Sequence, residues 1–263
     1  MPLLSEEGLG RSIQMPTYRD RGIVLRTRPL RDADRHYVIY TEEHGKIVVL
    51  AKGSRRGKSK MSSHLASFGI VDVMIAKGRV IDRLAGVSLV RPHQTLLTSL
   101  AKTALAQSFL LAVDALVKRE FPDERIFLLT QEFLDALETA PIGDGLRSLA
   151  FDAAVARLLD FLGFALELRE CIRCRASLIP EGNSINMLLG GIECARCRDP
   201  FSADVSAEAI KAMRYFRTEP IALSATLRLP PYAEREITFL TDLLITTHLE
   251  GRFHALQYLR AVS

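Results

Sequence analysis

Two spacings divide the chain. Between residues 22 and 90 apolar side chains come in short alternating runs, and beyond Pro92 they recur at intervals of three and four. Gly22 to Arg28, Arg35 to Thr41, Lys46 to Lys52, Phe68 to Lys77 and Val80 to Val90 are rich in Val, Ile and Tyr and are bounded by Gly, Asp, Pro or Ser, which predicts five strands. Glu42-Glu43-His44-Gly45 forms a compact turn between the second and third, whereas Gly53 to Ser67 form a long connection before the fourth. Five short strands with that long third connection fit a small closed barrel of the OB type, although an open five-stranded sheet satisfies the same pattern.

From Thr95 to Arg119 the apolar positions Leu96, Leu97, Leu100, Leu105, Phe109, Leu110, Val113, Leu116 and Val117 make the broad stripe of a helix buried on one side. Further helices are predicted over Asp123 to Glu138, Asp144 to Leu162 with Gly163 closing it, Ser206 to Arg217, and Tyr232 to Leu249 behind Pro230-Pro231. The expected fold is therefore α+β and multi-domain. A frayed tail covers 1–15, an OB barrel 16–91, and a helical domain 92–263. Residues 171–200 interrupt the last with a segment that has no helical period.

That segment holds the chain's four cysteines, as Cys171-Ile-Arg-Cys174 and Cys194-Ala-Arg-Cys197. A two-residue gap lets two thiolates of one tight turn face the same ion, and two such turns complete a tetrahedral shell of four sulfurs. Structural zinc is the expected occupant, with iron in a similar shell, disulfides and a redox pair as the alternatives. A short hairpin brings the two turns together, with Leu188 to Ile192 as its return strand. Arg173, Arg175, Arg196 and Arg198 lie where they offset thiolate charge.

Charge sharpens the division. Residues 1–90 carry 16 Lys and Arg against 9 Asp and Glu, and residues 91–263 carry 19 against 22. A basic block on a balanced chain points to an anionic partner. Its first group is Arg19, Arg21, Arg26, Arg28, Arg31 and Arg35; its second is Lys46, Lys52, Arg55, Arg56, Lys58 and Lys60, in a stretch with no acidic residue from Lys46 to Val71. Cations of this kind bind phosphate backbones without sequence preference, so these twelve are the candidate DNA-binding residues. Of Tyr37 and Tyr40, three apart in a strand, at most one can serve as a stacking platform. Gly57-Lys58-Ser59 lacks the glycine that a phosphate-binding loop requires five residues earlier, and no catalytic constellation is recognisable, so no enzyme activity is expected. With no apolar stretch long enough to cross a bilayer and no secretory leader, the expected location is the cytoplasm, associated with the nucleoid.

Gly22-Ile-Val-Leu, the run from Tyr40 to Gly53 followed by Arg55 and Arg56, Gly163-Phe-Ala-Leu-Glu, Gly190-Gly-Ile-Glu-Cys-Ala-Arg-Cys197 and His248-Leu-Glu-Gly-Arg together resemble the RecO recombination mediators of bacteria, over residues 16–263. The resemblance implies an OB domain, a helical domain and a zinc knuckle inserted in the latter. It also implies binding of single- and double-stranded DNA, annealing of complementary strands, and help in loading the recombinase onto DNA coated by single-strand-binding protein. The implied partners are RecR and the acidic-hydrophobic tail of that protein, which would need an apolar groove edged by Arg or Lys. The competing class is a zinc-ribbon accessory factor whose basic barrel binds RNA or the ribosome.

Overall fold

The computed structural model describes residues 16–30, 34–52, 60–65, 68–139 and 148–248. Five strands, β1 (Thr17–Pro29), β2 (Arg35–Thr41), β3 (Gly45–Ala51), β4 (Ile70–Ala76) and β5 (Asp82–Arg91), pair in the order β1-β2-β3-β5-β4, and β4 returns to β1 to close a barrel. All ladders are antiparallel except β3 with β5, and α1 (Lys60–Leu65) lies between β3 and β4. This is the OB-like arrangement that the long third connection predicts. β1 is long because it serves two neighbours: Gly22 faces Thr41 on β2 and Val71 on β4. A Cβ at Gly22 would lie 2.6 Å from Ile39 Cγ2, so glycine is what lets β1 turn from one partner to the other.

The interior follows the strand period of two. Tyr37 and Ile39, Ile47, Val49 and Ala51, then Val71, Val73 and Ile75 point inward, and Leu65 of α1 packs with them. The outward face of β2 is covered as well. Val38 and Tyr40 belong, with Ile23, Leu25 and Ile70, to an apolar cluster continuous with the helical part. A strand buried on both faces needs an unbroken apolar run, which Tyr37-Val-Ile-Tyr40 supplies.

The helical part comprises a short 3₁₀ turn at Gln94–Thr98 and then α2 (Leu100–Leu116), α3 (Glu124–Thr139), α4 (Leu149–Phe161), α5 (Ala207–Thr218), α6 (Ile221–Ser224) and α7 (Pro231–His248). Ser99 splits the single helix expected from Thr95: it is extended (φ −124°, ψ 121°) and its hydroxyl caps the N–H of Lys102. The α4 helix is central, buried almost all round, with Phe151 joined to Phe133 and Phe109 in an aromatic chain (ring centroids 6.4 and 4.5 Å apart). Between α4 and α5 the chain forms a small three-stranded sheet of β6 (Ser184–Asn186), β7 (Gly191–Glu193) and β8 (Ala203–Asp204), ordered β7-β6-β8. The return strand is thus shorter than the expected Leu188 to Ile192. Leu188 and Leu189 sit in the turn, where Asn186 Oδ1 accepts the N–H of Leu189 and Gly190 takes a φ of +73°.

Barrel and helices meet through named groups. The Tyr40 hydroxyl shares its one proton between the carbonyls of Phe121 (3.2 Å) and Asp123 (3.1 Å) and accepts the N–H of Asp123 (3.1 Å). Burial is the main reason its pKa is pushed up to about 12. Gly45, at φ +66°, lies so near the Phe121 backbone that a Cβ would come within 2.4 Å of its carbonyl oxygen. Beside β3, the N–H of Glu120 donates to the Lys46 carbonyl at 3.0 Å, so the α2–α3 link continues the ladder where β5 leaves off. On the other side His93, 1% exposed, places one ring nitrogen 2.9 Å from the Phe68 carbonyl and the other 2.8 Å from Asp135 on α3.

Candidate metal centre and cationic barrel end

The four cysteine sulfurs lie within 4.8 Å of one another, and those of Cys174 and Cys194 are 3.8 Å apart. A tetrahedron with metal–sulfur bonds of about 2.3 Å has edges of about 3.8 Å, so the cluster has the dimensions of a four-thiolate metal site. Local backbone geometry explains the convergence. Arg175 adopts φ +60° and its N–H returns to the Cys171 carbonyl at 2.9 Å, while the Cys197 N–H returns to that of Cys194 at 2.9 Å. Each CxxC is thereby a closed turn. The N–H of Ile172 donates to the Ile192 carbonyl at 2.8 Å, which ties the first turn to β7.

The thiols have divergent acidities. Burial raises that of Cys171, but backbone N–H groups of Cys174, Cys194 and Arg173 outweigh it and bring the pKa down to about 6. Cys197, hydrogen-bonded to Cys174 and then desolvated, is pushed up to about 12. Four sulfurs this close cannot all ionise without a cation among them, and a divalent ion with no open coordination position would hold all four as thiolates. The arrangement suits a structural ion.

Beneath the cluster lies a residue that the sequence pattern did not single out. Glu193, fully buried next to Cys194, accepts from Arg173 Nε (2.5 Å), Asn186 Nδ2 (3.0 Å), the Asp199 N–H (2.9 Å) and Ser202 Oγ (2.7 Å). Burial opposes its ionisation, but these donors together bring its pKa down to about 2. Arg173 also reaches Asp199, and Arg198 pairs with Asp204 at 2.5 Å, so both are engaged by carboxylates, while Arg173 still feels the charge of Cys197. Arg175 and Arg196 stay exposed.

The candidate cations separate into three sets. Lys46 is a correction: it is 8% exposed, its ammonium donates to the Asp114 carbonyl at 2.5 Å and lies 3.6 Å from the Asp114 carboxylate, and burial lowers its pKa. Its place on the outward face of β3, opposite α2, turns it into the junction. Arg26 joins it there, 2.7 Å from Asp114. Arg19 and Arg21 are exposed at one end of the barrel among Asp20, Glu42, Glu43 and Asp72, with Arg21 bound to Asp72 at 3.3 Å. At the opposite end are Arg28, Arg35 and Lys52. Register adds two residues here: Arg28 faces His36, His36 faces Leu50, and Leu50 faces Arg83. The sequence pattern does not offer Arg83 and His36 as candidates, because only strand pairing brings them into one lateral row with Arg28. Arg31, Arg55, Arg56 and Lys58 lie outside the described residues, and Lys60 begins α1.

Neither Tyr37 nor Tyr40 is a stacking platform. Tyr37 is 1% exposed inside the barrel and Tyr40 is fully buried against the helices. No helix among the described residues is long and apolar enough to cross a membrane.

Two family models match the chain, "Recombination protein O N terminal" over residues 15–93 and "Recombination protein O C terminal" over residues 97–257. A DNA repair protein RecO of Frankia casuarinae is 30% identical over 249 residues, covering 93% of this chain and 99% of the relative. Those of Cutibacterium acnes (33%, covering 76% and 82%) and Rubrobacter xylanophilus (32%, covering 81% and 86%) are similar over most of both chains. With two matches that tile nearly the whole length and a relative aligned over 93% of this chain and 99% of its own, the chain belongs to the RecO family of DNA repair proteins.

Proposed function

We propose that this chain is a non-enzymatic recombination mediator. It binds single- and double-stranded DNA, anneals complementary strands and, with RecR, helps to load the recombinase on DNA coated by single-strand-binding protein, while one zinc ion in the Cys171, Cys174, Cys194 and Cys197 site keeps the knuckle folded. Family membership supports the cellular role. The observation that carries the mechanism is the asymmetry of the barrel: Arg28, Arg35 and Lys52 gather where β1 ends beside the start of β2 and the end of β3, whereas Arg19 and Arg21 stand among carboxylates, with Arg21 bound to Asp72.

Annealing on such a surface needs no reacting group. Cations that displace counterions reduce the repulsion between two strands, and base pairing supplies the driving force. The loop cations Arg55, Arg56, Lys58 and Lys60 follow Lys52 directly and extend the same surface in this reading. The apolar groove of about 400 Å³ between the knuckle and α7, lined by Leu188, Phe201, Phe239 and Leu243, has Asp199 in its wall and no Arg or Lys. It lacks the cationic edge that an acidic tail requires, so we do not place the tail of single-strand-binding protein there. The proposed location is the cytoplasm, at the nucleoid.

The test is annealing of complementary strands coated with single-strand-binding protein, at low salt and without nucleotide. Acceleration by the purified chain is expected, and its absence overturns the mediator reading. Joint neutralisation of Lys52, Arg55, Arg56, Lys58 and Lys60 is expected to weaken DNA binding and flatten its salt dependence with metal content intact; unchanged affinity moves the site off this end of the barrel.

A further inference from the structure

Resting on the reading that the barrel binds DNA, we infer that His36 and Leu50 are specificity-determining residues that select a single strand over a duplex, on a track running across the barrel from Arg28 to Arg83.

The register sets out the track. Residues directly opposite one another in adjacent strands point to the same face, so Arg28 on β1, His36 on β2, Leu50 on β3 and Arg83 on β5 form one lateral row. The row faces outward, because its neighbours Tyr37, Val49 and Leu84 point into the barrel. Two residues back along the strands, the equivalent row of Arg26, Val38 and Val48 is covered by the helical part through Asp114 and its apolar neighbours. The helical cover therefore ends one row short of His36. What remains is an open strip bordering the junction.

The composition of the strip differs from that of a plain phosphate-binding surface. Its two ends, Arg28 and Arg83, are exposed and form no ion pair with any described residue, while its centre, His36 and Leu50, is half-buried. Asp82, next to Arg83, is held by Lys77 at 3.0 Å and by the N–H of Gly78 at 3.0 Å. Three strand spacings of about 4.8 Å separate the ends by about 14 Å. At roughly 3.4 Å per stacked nucleotide that distance takes about four nucleotides, the lower bound of what one OB fold covers. An aromatic ring and an apolar side chain between two cations offer a surface to base faces. A single strand can turn its bases onto that surface, whereas a duplex keeps base faces stacked inside and meets the strip only through its phosphates.

The experiment measures binding of a labelled oligothymidine and of a duplex of equal length by fluorescence anisotropy across a salt series, using the full chain. His36→Ala and Leu50→Ser are expected to weaken single-strand binding by about ten-fold each while leaving duplex affinity within about two-fold. Arg28→Gln and Arg83→Gln are expected to weaken both forms and to reduce the salt slope by about one each. Arg19→Gln, at the offset end, is expected to change neither, and thermal unfolding of every variant serves as the control on folding. Equal losses for both DNA forms in His36→Ala and Leu50→Ser overturn the selection. An effect of Arg28→Gln without one of Arg83→Gln overturns the crossing path. If no barrel substitution, including the joint change at Lys52 to Lys60, alters DNA affinity, the barrel reading itself fails, and that outcome is distinct from the other two.

Discussion

The barrel and the knuckle are both small β units attached to the same helical core, and they are stabilised by opposite means. The barrel closes on itself around ten buried apolar side chains contributed by four strands and α1. Burial of each such side chain contributes roughly 1.5 to 3 kcal/mol, so the order of its interior rests on apolar burial. The knuckle has three strands of three, three and two residues and places Ile185 and Ile192 into the helical cluster. The rest of its order comes from polar convergence: four sulfurs on one side and a buried carboxylate with four donors on the other. The lesson is that short strands become rigid either by enclosing oil or by sharing charge, and the two solutions fail under different stresses.

Removing the metal is expected to have the largest effect. Structural four-cysteine sites contribute on the order of 10 kcal/mol to local folding. Cys171→Ser, or a strong chelator, should abolish metal binding and amide protection at Ile192, while protection inside the barrel, at Val49, persists. Loss of protection in both would show that the two units fold as one.

In the barrel, Ile39→Ala truncates a fully buried residue and should cost about 2 to 5 kcal/mol of stability in denaturant unfolding, with metal content unchanged. Glu193→Gln should cost the knuckle about 2 to 4 kcal/mol, because Arg173 and three further donors lose their anionic partner; the midpoint of chelator-induced unfolding would fall while the barrel's own transition stays put.

Alkali probes the junction between the barrel and the helices. Because folding raises the Tyr40 pKa from 10 to about 12, the folded state binds this proton more tightly than the unfolded state does. The associated stability is full below pH 10 and is lost as pH rises from 10 to 12, amounting to at most about 3 kcal/mol. Comparing Tyr40→Phe with the parent chain over that range isolates it: the variant should lack this component of the alkaline loss. The smallest effect is expected at Tyr37, whose buried hydroxyl has no hydrogen-bond partner among the described residues. Tyr37→Phe should leave stability unchanged or raise it by less than about 1 kcal/mol, since it removes an unsatisfied polar atom from the barrel interior.

Much of this architecture is legible in the residue pattern, for physical reasons. The period-two runs locate all five barrel strands because each places one face in the interior, and the CxxC spacing locates the four-thiol cluster because each tight turn directs two thiols to one point. Three features are not legible. Ser99 divides a continuous apolar stripe, since the capping preference of one residue is invisible beneath so strong a period. Glu193 reads as one charge among many until folding surrounds it with donors. The lateral row from Arg28 to Arg83 depends on strand register, which aligns the two across 55 residues of sequence. Lys46 illustrates the same point in reverse, for its charge is local information and its burial against Asp114 is not.

The short ladder at Glu120 bears on how such a protein is inherited. The two family segments divide between residues 93 and 97, yet the strand edge of the first is completed by residues 119 and 120 of the second. A barrel excised at that division would present the outer edge of β3 together with the uncovered faces of Val38 and Tyr40, a combination that invites pairing between copies. The halves are therefore poor candidates for independent shuffling into other proteins. A lineage that exchanged one of them would have to reproduce the glycine at Gly45 and the backbone course of Phe121 together, which makes drift in either half answerable to the other.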